Sequence, residues 1–382
     1  MCCEKNSKKE NRRVAFLVSN MMTYGGTERV ASILTRELSA FYECWLLTAY
    51  QVGDSVYPLG KNVKWFNVCN QKVRLFTHGL LIGMKLAEFI KNKKIGTLIV
   101  VGRNNSYIPF VVKLICKDIK MIFCEHNSIA MSKFKQSKLL KIKCSIYNRL
   151  VINLSDKIIL LTDKEKDLYK KIKNIKDDKI EVIYNPIEDK LLFNKDNNYD
   201  TSSNKIITVG GLCDQKGYDY LLLVAAKVFS KHPDWQWDIY GNDADNKRDV
   251  FAHKISEYKL ENNVKYKGVT ENLYTKYKDY AFAVMTSKWE GFGMTLIEAQ
   301  SHQLPLVSFD IYSGPSDIIE DNINGYLIKM FDIEEMSSKI CYLIENQNKR
   351  MEMSSHARDG LWKFNKRTVV NKWKEVLEPY LK

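Results

Sequence analysis

The residues best placed to do chemistry lie in one run, Ser287-Lys288-Trp289-Glu290-Gly291-Phe292-Gly293-Met294-Thr295-Leu296-Ile297-Glu298-Ala299. A short apolar stretch, residues 281–285, precedes it and reads as a buried strand. Gly291 and Gly293 mark a turn, and a helical pattern starts near Gly293. The backbone N–H groups of Phe292, Gly293 and Met294 then point out of a helix start, where the helix dipole favours an anion. Glycine lets a phosphate approach the backbone closely. Glu290 falls just before this anion site and Glu298 within the first turns after it. Neither carboxylate suits a phosphate. Both suit hydroxyls, because a carboxylate accepts two directed hydrogen bonds from a diol. A diphosphate with diols on both sides is the outline of a nucleotide sugar. Taken alone, the two glutamates also fit solvated carboxylates near a helix start, where acids are favoured in any case.

Elements that could position such a site recur along the chain. Strand-like apolar runs occupy 14–19, 44–48, 63–68, 97–101, 121–124, 157–161 and 180–184. Helical periods lie between most of them, as at 28–39 and 75–91. This alternation is the signature of a doubly wound parallel sheet. A polar stretch, 194–204, breaks the pattern and reads as a linker. A second series follows at 206–209, 237–240, 264–266, 281–285 and 306–309. Residues 368–382 read as an amphipathic helix. The expected organisation is a first Rossmann-like domain over 1–193, the linker, a second over 205–365, and a final segment, 366–382, returning toward the first. The 382 residues suffice for two such domains, each with its own core. Two α/β domains in tandem place a ligand cleft at the carboxyl ends of their strands.

Composition narrows the class. With 45% hydrophobic and 27% charged residues, the chain is neither mostly disordered nor built to span a bilayer. The first ten residues lack the apolar stretch of a signal peptide, so a cytoplasmic protein is expected. Nine cysteines without a C-x-x-C pair read as reduced thiols, and no zinc spacing occurs. The net charge of +14 is uneven: residues 1–200 carry +15 and residues 201–382 carry −1. Between His126 and Ser155 there is no acidic residue, but Lys133, Lys135, Lys138, Lys141, Lys143 and Arg149 are present. An anionic partner for the first half is expected, either nucleic acid or an anionic membrane surface.

The run around Glu290 and Glu298 resembles the E-x7-E signature of the retaining family 4 glycosyltransferases, which have the GT-B fold. The similarity continues through Leu304-Pro305-Leu306-Val307-Ser308, Ser313-Gly314-Pro315-Ser316-Asp317-Ile318-Ile319 and Asn324-Gly325-Tyr326-Leu327. Gly25-Gly26-Thr27-Glu28 resembles the family's amino-terminal glycine turn, and Glu125-His126-Asn127 its central histidine motif. Asn185-Pro186 and Val209-Gly210-Gly211-Leu212 with Lys216-Gly217 complete the set, which covers about residues 14–365. The resemblance implies an α/β protein of two Rossmann-like domains facing each other across a cleft. Residue by residue, it implies that Glu290 contacts the transferred sugar and Glu298 the nucleotide ribose. Phe292, Gly293 and Met294 would offer N–H groups to the phosphates, and Lys216 would neutralise the leaving diphosphate. His126 would sit near the reacting carbon, with Gly25 and Gly26 facing the diphosphate from the other domain. Two positions depart from the family. Gly211 replaces a usual arginine that helps hold the diphosphate, with Arg103 and Lys288 as candidate substitutes. Gln303 replaces a usual glycine at a turn.

The activity so implied is transfer of a hexose or N-acetylhexosamine from a nucleotide sugar, with UDP favoured, to a lipid-linked or polysaccharide acceptor with retention. No cofactor or metal is expected, and Asp243-Ala244-Asp245 reads as a chance D-x-D. The basic, apolar stretch 130–154 reads as a helix on an anionic membrane, its apolar side toward lipid or the core. Lys133, Lys135, Lys138 and Lys141 would mark that membrane or acceptor face. The protein would then sit peripherally on the inner face of the cell membrane. Nucleotide-sugar epimerases and sugar phosphorylases share the architecture but match these blocks less well. Nucleic-acid binding lacks any supporting motif. The change at Gly211 motivates an alternative, an inactive or partner-dependent relative.

Overall fold

The computed structural model describes residues 12–103, 107–134, 137–171, 175–192, 199–243 and 245–381. The chain forms two compact units, residues 1–188 with 363–382, and residues 189–362. The crossings therefore fall after Glu188 and before Lys363; of the expected linker 194–204, residues 199–204 belong to the second unit and 194–198 lie outside the described residues.

The first unit is built on a parallel sheet of β1 (Arg13–Val18), β2 (Glu43–Thr48), β3 (Lys64–Asn67), β4 (Thr97–Val101), β5 (Lys120–Cys124), β6 (Lys157–Leu160) and β7 (Ile180–Val182). Their spatial order is β3-β2-β1-β4-β5-β6-β7. The central strands are buried on both faces, so β1 and β4 read as unbroken apolar runs rather than alternating ones. Helices α1 (Gly26–Leu38), α2 (Leu75–Asn92), α3 (Ile108–Ile115), α4 (Lys138–Leu154) and α5 (Asp163–Lys170) connect them.

The expected helix over 130–154 needs correction. Residues Ile129–Phe134 form a 3-10 turn, and α4 starts at Lys138. The cause is a tertiary contact: the Glu165 carboxylate on α5 accepts from the Ile129 N–H (2.6 Å) and the Ser128 hydroxyl (2.7 Å) and holds the start of that turn.

The second unit carries β8 (Lys205–Val209), β9 (Gln236–Tyr240), β10 (Val264–Gly268), β11 (Phe282–Met285), β12 (Leu306–Asp310) and β13 (Gly325–Lys329). Their order is β10-β9-β8-β11-β12-β13, again all parallel. Its helices are α6 (Asp189–Leu192), α7 (Tyr218–Phe229), α8 (Arg248–Glu257), α9 (Leu273–Lys276), α10 (Met294–Ser301), α11 (Pro315–Ile318), α12 (Ile333–Glu345) and α13 (Gln347–His356). Strand β13 has no counterpart in the sequence reading. Its first residues, Asn324-Gly325, look like a turn. The glycine instead serves close approach: a Cβ at Gly325 would lie 2.2 Å from the Leu306 carbonyl oxygen, so only glycine lets β13 start against β12.

The chain then returns to the first unit as α14 (Lys366–Leu377). Its Trp373 is buried and packs on Phe16 of β1, ring centroids 6.4 Å apart. Lys366 adds an ion pair to Glu37 of α1 at 3.2 Å.

Candidate active site

In each sheet the strand order reverses once, between β1 and β4 and between β8 and β11. Loops leaving the carboxyl ends of such neighbouring strands diverge and leave room for a ligand. In the second unit those loops are 210–217 after β8 and 286–293 after β11. They carry Lys216 and Glu290, and the fold brings the two side chains together. Lys216 Nζ lies 2.6 Å from Glu290 Oε1. Ser287 Oγ donates to the same oxygen at 2.6 Å, and Gln215 Nε2 donates to the other at 3.2 Å. Glu290 is buried, so these three donors fix its direction and offset the cost of removing its charge from water.

Helix α10 begins directly after this loop. Gly293 precedes its first residue with φ +97°, a left-handed conformation that other residues adopt only with strain. The first N–H groups of α10 have no carbonyl one turn back within the helix, and they lie beside Glu290 in sequence. Glu298 sits on α10, buried, and accepts from the Tyr277 hydroxyl at 3.3 Å. His302, one turn on, stacks on Tyr277 (centroids 4.9 Å) and bonds through Nδ1 to the Glu298 carbonyl at 2.8 Å. The arrangement is an anion-favouring helix start with one held carboxylate on each side.

Gly211 lies in the loop after β8. A Cβ there would come within 2.3 Å of Asn242 Oδ1, so the Asn242 carboxamide occupies the space a side chain would need. Neither expected substitute for an arginine at this position stands ready. Lys288 is engaged with Asp214 (2.8 Å) and Asp219 (3.2 Å), which hold its pKa above the ordinary value against the effect of burial. Arg103 belongs to the first unit, where its guanidinium lies 2.5 Å from Glu125 and 3.3 Å from the Tyr169 hydroxyl.

In the first unit, Gly25 and Gly26 follow β1 and open α1. Glu28 folds back over this helix start. A Cβ on Gly25 would lie 2.2 Å from a Glu28 carboxylate oxygen. Burial raises the pKa of Glu28. His126 follows β5 and is buried. The two loops are neighbours: a Cβ on Gly102, after β4, would meet the Thr27 methyl at 3.4 Å and His126 Cβ at 3.7 Å. Burial pulls the His126 pKa down to about 4, so its imidazole is neutral at pH 7. Its Nε2 lies 3.4 Å from Cys124 Sγ. Behind it, Glu125 binds Arg103 and accepts from the Tyr169 hydroxyl (3.0 Å) and the Asn127 N–H (3.0 Å).

Of the remaining expected residues, Lys138 and Lys141 are exposed on α4 and Lys133 is exposed in the preceding turn. Lys135 lies outside the described residues. Asp243 caps α8 by accepting from the N–H groups of Lys247 (2.6 Å) and Arg248 (3.1 Å). Among the described residues no three His, Cys, Asp or Glu side chains gather as a metal site. Ser287, Gln215 and Tyr277 were not legible as site residues. The Ser287-x-x-Glu290 spacing is visible in the sequence, but nothing in it marks Ser287 as the donor that holds Glu290.

Comparison with known proteins matches both halves of this architecture. A model described as Glycosyltransferase Family 4 matches residues 24–191, and one described as Glycosyl transferases group 1 matches residues 189–360. The chain belongs to the family 4 glycosyltransferases. The glycosyltransferase is 26% identical over 371 residues to the amylovoran biosynthesis glycosyltransferase AmsD of Erwinia amylovora, covering 96% of this chain and 99% of that one. It is 38% identical over 159 residues to the poly(ribitol-phosphate) alpha-N-acetylglucosaminyltransferase of Staphylococcus aureus, covering 41% of this chain and 32% of that one. Among solved structures, Anabaena HepE in complex with UDP and glucose superposes with a TM-score of 0.78 at 16% identity, over 96% of this chain and 99% of that one. The two sheets described above are thus the two Rossmann-like halves of the GT-B fold.

Proposed function

We propose that this glycosyltransferase moves a hexose or N-acetylhexosamine from a UDP-linked donor to a growing bacterial surface glycan, polymeric or lipid-linked, with retention at the anomeric carbon. The observation that carries the reading is the held carboxylate of Glu290, with Lys216 at 2.6 Å, next to the start of α10 and eight residues before the buried Glu298. The names of the similar proteins support it: one contains UDP and glucose, and another transfers N-acetylglucosamine to a polyol-phosphate polymer.

In this reading the donor diphosphate lies at the N-terminus of α10. The N–H groups of Phe292, Gly293 and Met294 bind it, and Lys216 adds a full positive charge. Lys216 has three N–H donors, so it can hold Glu290 and a phosphate oxygen together. Glu290 accepts from the sugar hydroxyls and Glu298 from the ribose hydroxyls. The C1–O bond to the diphosphate breaks, leaving charge on the phosphate oxygens. The acceptor oxygen bonds to C1 from the same face, and its proton passes to a leaving phosphate oxygen. His126, neutral at pH 7, orients the sugar by hydrogen bonding rather than by proton transfer. The same proposal requires no metal ion and places the protein peripherally on the inner face of the cell membrane. No helix among the described residues is long and apolar enough to cross a membrane.

A binding panel of UDP, GDP, ADP and CMP, read by thermal shift and NMR, tests the donor. Selective stabilisation by UDP that Glu298→Ala abolishes is the expected result. No response to any nucleotide would refute the reading and favour the non-catalytic alternative that Gly211 motivates.

A further inference from the structure

Helix α4 carries apolar residues both in the core and on the surface. Its C-terminal half buries Val151 and Ile152, with Tyr147, Leu150 and Leu154 packed on the core. In its N-terminal half, Leu139, Ile142 and Ile146 form an i, i+3, i+7 ridge, each more than half exposed. Helix α2 repeats the pattern. Phe76, Leu80 and Met84 form an i, i+4, i+8 row, again each more than half exposed. The two helices are tied together. Lys143 Nζ of α4 lies 5.6 Å from the Phe76 ring centroid, and Tyr107 packs edge-on to the same ring while its hydroxyl donates to the Phe76 carbonyl. Single exposed apolar residues are ordinary on a protein surface, but two adjacent rows mark an interaction site.

Charge identifies the occupant. Residues 55–87, which include most of α2, contain no acidic residue, and neither do residues 126–155, which include all of α4. Lys85 flanks the α2 row, and Lys138, Lys143 and Arg149 flank the α4 ridge. A second copy of this chain would bring one positive rim against another, which repels. Glu88, exposed one turn beyond Met84, ends the α2 row, and the other charged residues along the two rows are cations. An apolar surface with such a mainly cationic border fits a lipid bilayer with anionic headgroups, where side chains enter the acyl boundary and lysines meet the headgroups.

We propose that the outward faces of α2 and α4 form one surface that docks on an anionic membrane, with Phe76, Leu80, Met84, Leu139, Ile142 and Ile146 entering the lipid. This rests on the peripheral-membrane reading above and adds the surface that performs it.

Co-sedimentation of the full chain with vesicles containing phosphatidylglycerol, against phosphatidylcholine alone, tests it. The wild type should bind the anionic vesicles, and high salt should weaken the binding. The double variant Leu80→Asn, Ile142→Asn should bind at least tenfold more weakly. The triple variant Lys138→Gln, Lys141→Gln, Lys143→Gln should lose about fivefold per lysine. Val250→Asn, an exposed apolar position on α8, is the control and should bind as the wild type does. All variants change exposed side chains, so unchanged melting temperatures should confirm folding. Three results would overturn the proposal. If the wild type ignores anionic vesicles, the membrane reading falls with the surface. If it binds them and both sets of variants bind equally well, the surface is wrong and the membrane reading stands. If the double variant abolishes a dimer formed without lipid, the face belongs to a second copy.

Discussion

His126 and Glu165 lie in the same unit and respond to pH in opposite senses. Burial pulls His126 from 6.5 to about 4. Burial pushes Glu165 from 4.5 to about 7, against the hydrogen bonds from Ile129 and Ser128 that favour its charged form. Between about pH 4 and 6.5 the unfolded chain carries a proton on His126 that the folded chain lacks. Stability from this group is therefore full above pH 6.5 and lost as pH falls toward 4. Between about pH 4.5 and 7 the folded chain carries a proton on Glu165 that the unfolded chain lacks. Stability from that group is full below pH 4.5 and lost as pH rises through 7. Each displacement amounts to about 3 kcal/mol. The two slopes nearly cancel from pH 4.5 to 6.5, so the wild type should show a flat profile from this pair. Glu165→Gln removes one slope. The stability of the wild type relative to this variant should fall by about 3 kcal/mol from pH 4.5 to 7. Relative to His126→Asn, it should rise by a similar amount from pH 4 to 6.5. Urea unfolding followed by tryptophan fluorescence reads both, since Trp45, Trp65 and Trp373 all lie in this unit. Taking differences between chains cancels the groups they share. A difference for Glu165→Gln that does not change with pH would refute the reasoning, because it would mean that Glu165 titrates alike in the folded and unfolded chains.

Three further outcomes are expected. Lys216→Gln leaves Glu290 with Ser287 and Gln215 but removes the charge meant for the leaving group. Its kcat should drop by about 10²–10³ with a smaller change in KM, measured with a UDP-sugar donor. Gly211→Arg must displace the Asn242 carboxamide and should cost about 1–3 kcal/mol in thermal melting. Adding Asn242→Gly should recover part of that loss, and a single variant that melts like the wild type would show that Asn242 yields freely. Activity should survive EDTA; complete loss restored by Mn²⁺ or Mg²⁺ would overturn the metal-independent mechanism.

The sheets were legible because strands buried on both faces leave unbroken apolar runs, as Leu98-Ile99-Val100-Val101 does. Strand β13 escaped because Asn324-Gly325 carries the same residues as a turn, and the reason for its glycine, the Leu306 carbonyl, is 19 positions away. Glu290, Glu298 and Lys216 were legible as members of a motif. Their holders were not, because Tyr277 and Gln215 reach the two carboxylates from other elements. Arg103 shows the converse. Its charge suggested a phosphate ligand, but the fold places Glu125 and Tyr169 against it, and a side chain saturated by buried partners leaves no trace in its own residue type. The apolar content of α4 was visible from the start. Which of its apolar residues the core covers was not, because Val151 and Ile152 are buried by other elements while Leu139, Ile142 and Ile146, of the same residue types, stay exposed.

Trp373 completes the core around Phe16, although about 350 residues separate them and the whole second unit is threaded between them. During synthesis the unit that emerges first is therefore the one finished last. Residues 189–362 can fold as an unbroken stretch, while the earlier sheet waits for α14 to leave the ribosome. A premature stop near residue 362 would spare every residue around Glu290. It would also strip the opposite half of its covering helix, and translation pauses late in the message would prolong the exposure of that half to chaperones and proteases.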